Sequence, residues 1–240
     1  MPRSVLIVGD SLSGGLPHLS FPWQLRRVNP GWEYLVSARG GDTLAGIGNR
    51  LAELWGAGKY DAVIIEGGGN DIFLPYLEGR GGIWRRFARA MMARGRTPCG
   101  DIATFRDQLA RILEGTLART AGVIVTTIPC LGEDLGSPLN AARERYNRVI
   151  RETARDHGVV LADFGAAYEE ILPAAGTPGL YLLERFSDVF LDTWQALTPQ
   201  KALALSERRG LFLTIDGLHP NPRGATALAG TADSALRSLP

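Results

Sequence analysis

Lysine is nearly missing from this chain: Lys59 and Lys201 are the only two, so almost all positive charge is arginine, read here as a compositional bias of the source. Cysteine is scarce too, and Cys99 and Cys130 stand far apart, outside the paired spacings of a zinc site or a disulfide framework. Buried free thiols are what this leaves. His18, His157 and His219 have no partner at helical spacing, which removes the usual donor set for a metal. No apolar run reaches membrane-spanning length. The first such run, Val5 to Val8, is too short and too soon followed by Gly9-Asp10-Ser11 to be a signal peptide, so the chain as written reads as cytoplasmic. Repeats of fixed period and polar low-complexity tracts are absent, which excludes solenoids and disorder. A formal net charge of +1 supplies no overall field for nucleic acid. Neither G-x-x-x-x-G-K-[ST] nor G-x-G-x-x-G follows the first apolar run, and the G-x-S-x-G elbow is missing around Ser11.

What is present is an alternation. At 240 residues and 45% hydrophobic, the chain suits one large α/β domain spanning 1–240. Val5 to Val8, Trp32 to Val36, Asp61 to Glu66, Gly122 to Ile128 and the run from Gly158 read as strands. Helical patterns lie at Phe21 to Val28, from Thr43 or Asp42 as cap to about Trp55, Ile102 to Leu117, Asn140 to His157 and Pro222 to Leu236. Parallel neighbours need crossover helices, so the pattern predicts a three-layer αβα sandwich, a flavodoxin-like doubly wound sheet of order 2-1-3-4-5. Two stretches fall outside it, at about 72–100 and 166–213. Both leave the carboxyl edge of the sheet, where they would cover a site as helical insertions.

The chemistry-bearing residues collect at that edge. Ser11 stands where the first strand ends in a Gly-rich turn, and as a residue type it either caps the next helix or exposes a hydroxyl where open α/β folds bind ligands. Asp216 and His219, three residues apart in Ile215-Asp216-Gly217-Leu218-His219-Pro220, either cap and decorate a turn or form the base half of a hydrolase. A serine hydroxyl needs such a base, oriented by a third group. The Ser11 N–H, the Gly41 N–H and the Asn70 amide converge at the same edge and would serve a developing oxyanion; otherwise Gly41 is a plain turn glycine and Asn70 a turn residue. Asp10 and Asp71 are expected to hold turns by hydrogen bonds. Glu133-Asp134 and Glu169-Glu170 read as solvated faces.

Gly9-Asp10-Ser11-Leu12, Gly41-Asp42-Thr43, Gly68-Gly69-Asn70-Asp71 and Asp216-Gly217-Leu218-His219-Pro220, in this order and each at a strand end, closely resemble the four blocks of the GDSL, or SGNH, hydrolases. The resemblance covers nearly the whole chain except the two insertions. It implies a flavodoxin-like fold and ester hydrolysis with neither metal nor organic cofactor. It further implies Ser11 as nucleophile and amide donor, Gly41 and Asn70 as oxyanion donors, His219 as base and Asp216 as its orienting group. Substrates of that family include lysophospholipids, acyl-CoA thioesters, simple esters and acetylated sugars. The rival from another class is a binding module whose first turn cradles a phosphate; it would need neither Asp216 nor His219.

The two insertions carry aromatic residues, and Trp84, Phe87, Phe190 and Trp194 are the expected wall of an acyl site. Within Ile83 to Met92 the apolar side chains share one helical side and Arg85, Arg86 and Arg89 largely another. That helix reads as a lid over the site or, alternatively, as a membrane contact. A lidded acyl-ester hydrolase is the reading preferred over a carbohydrate deacetylase or thioesterase.

Overall fold

The computed structural model describes residues 3–56, 58–176 and 179–239. Its strands β1 (Ser4–Gly9), β2 (Glu33–Ala38), β3 (Ala62–Ile65), β4 (Gly122–Thr126) and β5 (Val160–Ala162) form one sheet in the order 2-1-3-4-5. Every pairing is parallel, with Ile7 opposite both Val36 and Ile64. The predicted topology is the observed one.

The chain enters at β1 and crosses through α1 (Phe21–Val28) to the edge strand β2. It returns by α2 (Leu44–Leu54) to β3, and from there moves outward. The β3 to β4 connection holds α3 (Gly69–Gly79), α4 (Gly82–Ala93) and α5 (Ile102–Leu117), and α6 (Pro138–Asp156) leads to β5. After β5 come α7 (Phe164–Ala174), α8 (Asp188–Gln195), α9 (Pro199–Arg208) and α10 (Pro222–Arg237).

Strands β1, β3 and β4 are apolar at nearly every position because both faces of the sheet are covered. Val5, Ile7, Ile64 and Ile124 point to one layer, where Phe21, Tyr168 and Leu228 stand on α1, α7 and α10. Leu6, Val8, Val63 and Val125 point to the other, onto Ile47 of α2, Phe105 of α5 and Ile150 of α6. The edge strand β2 alternates instead, with exposed Glu33 and Leu35 between half-buried neighbours.

Two expectations are corrected by this packing. Residues 166–174 are no insertion: they are most of α7, and Tyr168 and Leu172 are buried in the core against the sheet. The second excursion therefore begins only at about 175. Neither Thr43 nor Asp42 caps α2 with its side chain; the Thr43 hydroxyl donates to the Thr97 carbonyl, and the first free N–H, of Leu44, donates to Asp71 Oδ2 at 2.9 Å. Asp42 instead binds Arg50. Among the described residues no helix is long and apolar enough to cross a membrane.

Candidate active site

The first three strands each end in a turn that carries an acid. Glu66 directly follows β3 and is buried; its Oε2 accepts from the Asp10 N–H at 3.0 Å and from the Ser13 hydroxyl at 2.8 Å. Asp10 Oδ1 accepts from the Leu12 N–H at 2.9 Å. The turn bearing Ser11 is thus clamped on both sides. Burial, with the neighbouring Asp10, pushes Glu66 well above the usual carboxylate range, and burial pushes Asp10 up to about 6. Asp71 ties two turns together by accepting from Leu44 and Cys99 N–H groups, as expected of it.

Asp216 and His219 lie in a tight loop between α9 and α10, closed by the bridge between Thr214 and Pro220 and by the Ile215 N–H to His219 carbonyl bond of 2.9 Å. Glu133 holds this loop from below. It is fully buried, not solvated as its sequence context implies, and its carboxylate accepts from the N–H groups of Phe212, Leu213 and Thr214 and from the Thr214 hydroxyl. Asp216 Oδ1 accepts from the Leu218 and His219 N–H groups, leaving Oδ2 to His219 Nδ1 at 2.6 Å. The other imidazole nitrogen, Nε2, is 3.0 Å from Ser11 Oγ. Residues 208 positions apart in sequence thus form one hydrogen-bonded chain, Asp216 to His219 to Ser11.

Charge follows from that geometry. Burial works to raise Asp216, but its partner His219 and the two N–H donors hold it below the ordinary value. Desolvation would lower His219; the Asp216 carboxylate outweighs it, with Asp10 and Asp192 adding, and the imidazole is pushed up to about 9.

The remaining donors face the same space. Gly41 has φ +72°, in the left-handed region that favours glycine; a Cβ there would lie 2.2 Å from the Met91 methyl, the far end of a flexible side chain that would have to shift. The N–H groups of Ser11 and Gly41 donate to no acceptor among the described residues. Asn70, in the first turn of α3, is differently placed: its amide donates to Asp10 Oδ2 and to the Asp42 carbonyl, both at 2.9 Å. An oxyanion would have to displace one of these.

Ser11, Gly41, Asn70, Asp216 and His219 all open into one cavity of about 480 Å³. Its depth is walled by Leu74 and Leu77 of α3, Trp84, Phe87 and Met91 of α4, and Leu183 and Val189 of the second cover. Of the four expected wall aromatics, Trp84 and Phe87 are there. Phe190 and Trp194 are not: they are 60% and 71% exposed on the outer side of α8, whose inner side presents Asp188 and Asp192. Arg209 holds those two acids, bidentate on Asp192 at 2.7 and 2.8 Å, and donates to the Ile215 carbonyl at 2.7 Å. Asp188 also accepts from the Tyr181 hydroxyl. Sequence reasoning misses the roles of Glu66 and the Arg209 cluster and takes Glu133 for a solvated acid. Glu66 alone had a signal there, as an acid ending a strand in the way Asp10 follows β1. Among the described residues no group of three or more His, Cys, Asp or Glu is placed to hold a metal ion.

Comparison with known proteins bears on the fold and the family. No curated protein matches the chain. Among solved structures, similarity extends to LAE5, an alpha/beta hydrolase enzyme from the metagenome of Lake Arreo, Spain, at TM-score 0.64 and 18% identity, over 99% of this chain and 96% of that one. Axe2, an acetylxylan esterase from Geobacillus stearothermophilus, aligns at TM-score 0.63 and 18% identity over 98% and 94%. The acetyl xylan esterase AlAXEase aligns at TM-score 0.63 and 17% identity over 97% and 98%. At these identities the likeness is one of fold. The GDSL-like Lipase/Acylhydrolase family matches residues 7–227, nearly the whole chain, and the protein belongs to that family as a carboxylic ester hydrolase.

Proposed function

We propose that Ser11 is the nucleophile of a hydrolase for esters with a medium-length, uncharged acyl chain. His219 Nε2 takes the Ser11 proton as Oγ attacks the carbonyl carbon, and Asp216 holds the imidazole in the tautomer that leaves Nε2 free. The oxyanion accepts from the N–H groups of Ser11 and Gly41 and from the Asn70 amide, which gives up its bond to Asp10 or Asp42 as charge develops. His219 then returns the proton to the leaving oxygen. Water, deprotonated by the same imidazole, cleaves the acyl-enzyme, and Ser11 recovers its proton.

The observation that carries the reading is the chain of 2.6 and 3.0 Å bonds from Asp216 through His219 to Ser11 at the mouth of an apolar cavity. Each CH₂ buried there is worth about 0.8 kcal/mol, so an acyl chain of several carbons gains more than acetate does. A second reading, carbohydrate O-acetylesterase, is favoured by what Axe2 and AlAXEase are. Comparing kcat/KM on p-nitrophenyl acetate, butyrate and octanoate, with an acetylated xylooligosaccharide alongside, separates them. A rise from acetate to octanoate, lost altogether in Ser11→Ala, supports the first; a steep fall beyond acetate with acetate release from the sugar supports the second. On this account α4 is a wall of the acyl site, with Trp84 and Ala88 buried, and no membrane contact is needed to explain it.

A further inference from the structure

The first cover carries Arg80, Arg85, Arg86, Arg89, Arg94 and Arg96 against one acid, Glu78, in a chain whose formal charge is +1. Several of these have partners. Arg80 donates to the Leu183 carbonyl and lies over the Trp84 ring, while Arg85 and Arg89 reach the carbonyl and carboxylate of Glu78. Arg94 and Arg96, just past the end of α4, bind no carboxylate among the described residues, and neither does Arg39 at the end of β2.

These three meet on one seam. Arg39 leads directly into Gly40 and Gly41, both on the cavity wall, and Arg96 Nε donates to the Gly40 carbonyl at 3.4 Å. The N–H groups of Arg94 and Arg96 both donate to the Met91 carbonyl, at 3.1 and 3.3 Å, and the Met91 methyl lies against Gly41. Partial burial, then the charges of Arg39 and Arg94, hold Arg96 below its ordinary value; Asp42 opposes this, but its carboxylate is already taken by Arg50 at 2.9 Å. A helix C-terminus accounts for a cation at Arg94 and for neither of the others. Inside, the cavity wall has no arginine or lysine, and its acids are occupied: Asp188 and Asp192 by Arg209, Asp216 by His219 and Asp10 by Asn70. An uncharged chain belongs within, and an anion at the rim.

We propose that Arg39, Arg94 and Arg96 form a subsite for a phosphate group on the leaving half of the substrate, the half that stays outside while the acyl chain fills the cavity. The inference rests on the ester-hydrolase reading of Ser11 and supplies what that reading omits, the chemistry of the alcohol or thiol. A phosphate there would meet guanidiniums that no carboxylate among the described residues neutralises and accept charge-assisted bonds in the fork geometry arginine favours. Phosphate can arrive on a glycerol phosphate or on coenzyme A.

Two matched pairs test it: 1-octanoylglycerol 3-phosphate against 1-octanoylglycerol, and octanoyl-CoA against octanoyl-N-acetylcysteamine. The expected result is a kcat/KM ratio of about tenfold in favour of the phosphate-bearing member of at least one pair, carried by KM. It should shrink as KCl rises from about 20 to 200 mM. The pair with the larger ratio identifies the source. In Arg39→Gln combined with Arg96→Gln the ratio should fall to about one. A ratio near one in the parent, or one unchanged in the double variant, overturns the subsite. Should neither ester turn over, the reading of Ser11 is what has failed, and calorimetry still tests the subsite: non-hydrolysable 1-O-octylglycerol 3-phosphate must bind more tightly than 1-O-octylglycerol in the parent, with the difference lost in the double variant. Equal binding of the two ethers overturns it.

Discussion

In α4 the apolar side chains Trp84 and Ala88 are buried against the cavity wall and its neighbours, and Arg85, Arg86 and Arg89 are exposed. In α8 the order is reversed: Asp188 and Asp192, four residues apart and so on one side of the helix, are buried, while Phe190 and Trp194 face outward. The difference lies in what each helix meets. Helix α4 meets apolar side chains, Phe73 and Leu77 of α3 and Leu183, and hydrophobic burial orients it. Helix α8 meets Arg209, whose guanidinium also lies over Tyr181 and reaches the Ile215 carbonyl beside the Asp216 loop. A bidentate guanidinium can outweigh two aromatic residues because leaving Asp188 and Asp192 buried without a cation costs more than exposing the rings. The two covers meet at Phe186, whose ring packs edge-on against Trp84 at 5.3 Å, Phe87 at 5.7 Å and Phe190 at 5.6 Å.

If α8 is held by charge and α4 by apolar burial, substitutions should act on them in opposite ways. The largest effect is expected from Arg209→Met, which strands both acids and should cost about 3–5 kcal/mol in chemical denaturation. Activity should fall as well, since the Ile215 carbonyl loses its donor. Trp84→Ala comes next, at about 3–5 kcal/mol if the site does not collapse, and it should reduce the octanoate to acetate ratio of kcat/KM roughly tenfold. A ratio left intact would remove Trp84 from the acyl wall.

The pH profile sharpens the same contrast. His219 must be neutral to accept the Ser11 proton, and with its pKa pushed up to about 9 the active form grows as pH rises. Hence kcat/KM should climb by up to about tenfold per unit from pH 7 and level near 9. Asp192 on α8 contributes to that shift, so Asp192→Asn should move the limb toward lower pH, while Arg86→Gln on α4 should leave its midpoint in place. The smallest effect belongs to Trp194→Ala, within about 0.5 kcal/mol and with chain-length preference unchanged. A large loss there would mean that α8 seats its aromatic side inward after all.

The sequence carried the sheet and the four turns because the central strands β1, β3 and β4 are short apolar runs, and those of β1 and β3 are closed by glycines and acids, signals that need no distant partner. Ser11, Gly41, Asn70, Asp216 and His219 were legible for the same reason. What escaped depends on contacts made across the chain. Glu133 looks like a surface acid until the loop at Phe212 to Thr214, about 80 residues later, lays three N–H groups on it. Helix α2 is capped by Asp71, 27 residues beyond Leu44, so no local reading would find it. Phe190 and Trp194 were misplaced because apolar periodicity assigns the inner face of a helix by hydrophobicity alone, and in α8 an arginine from another element decides it. Likewise α7 read as insertion because its inner residues, such as Tyr168 and Gly165, do not form the aliphatic stripe of an ordinary core helix.

The claim on which the rest depends is that Ser11 is activated by His219. Reaction with a fluorophosphonate followed by peptide mapping in a mass spectrometer reads it directly. A single adduct on Ser11, formed at a rate that collapses in His219→Ala, is the predicted result; an adduct on another serine, or labelling of Ser11 that proceeds unchanged without the imidazole, would contradict it.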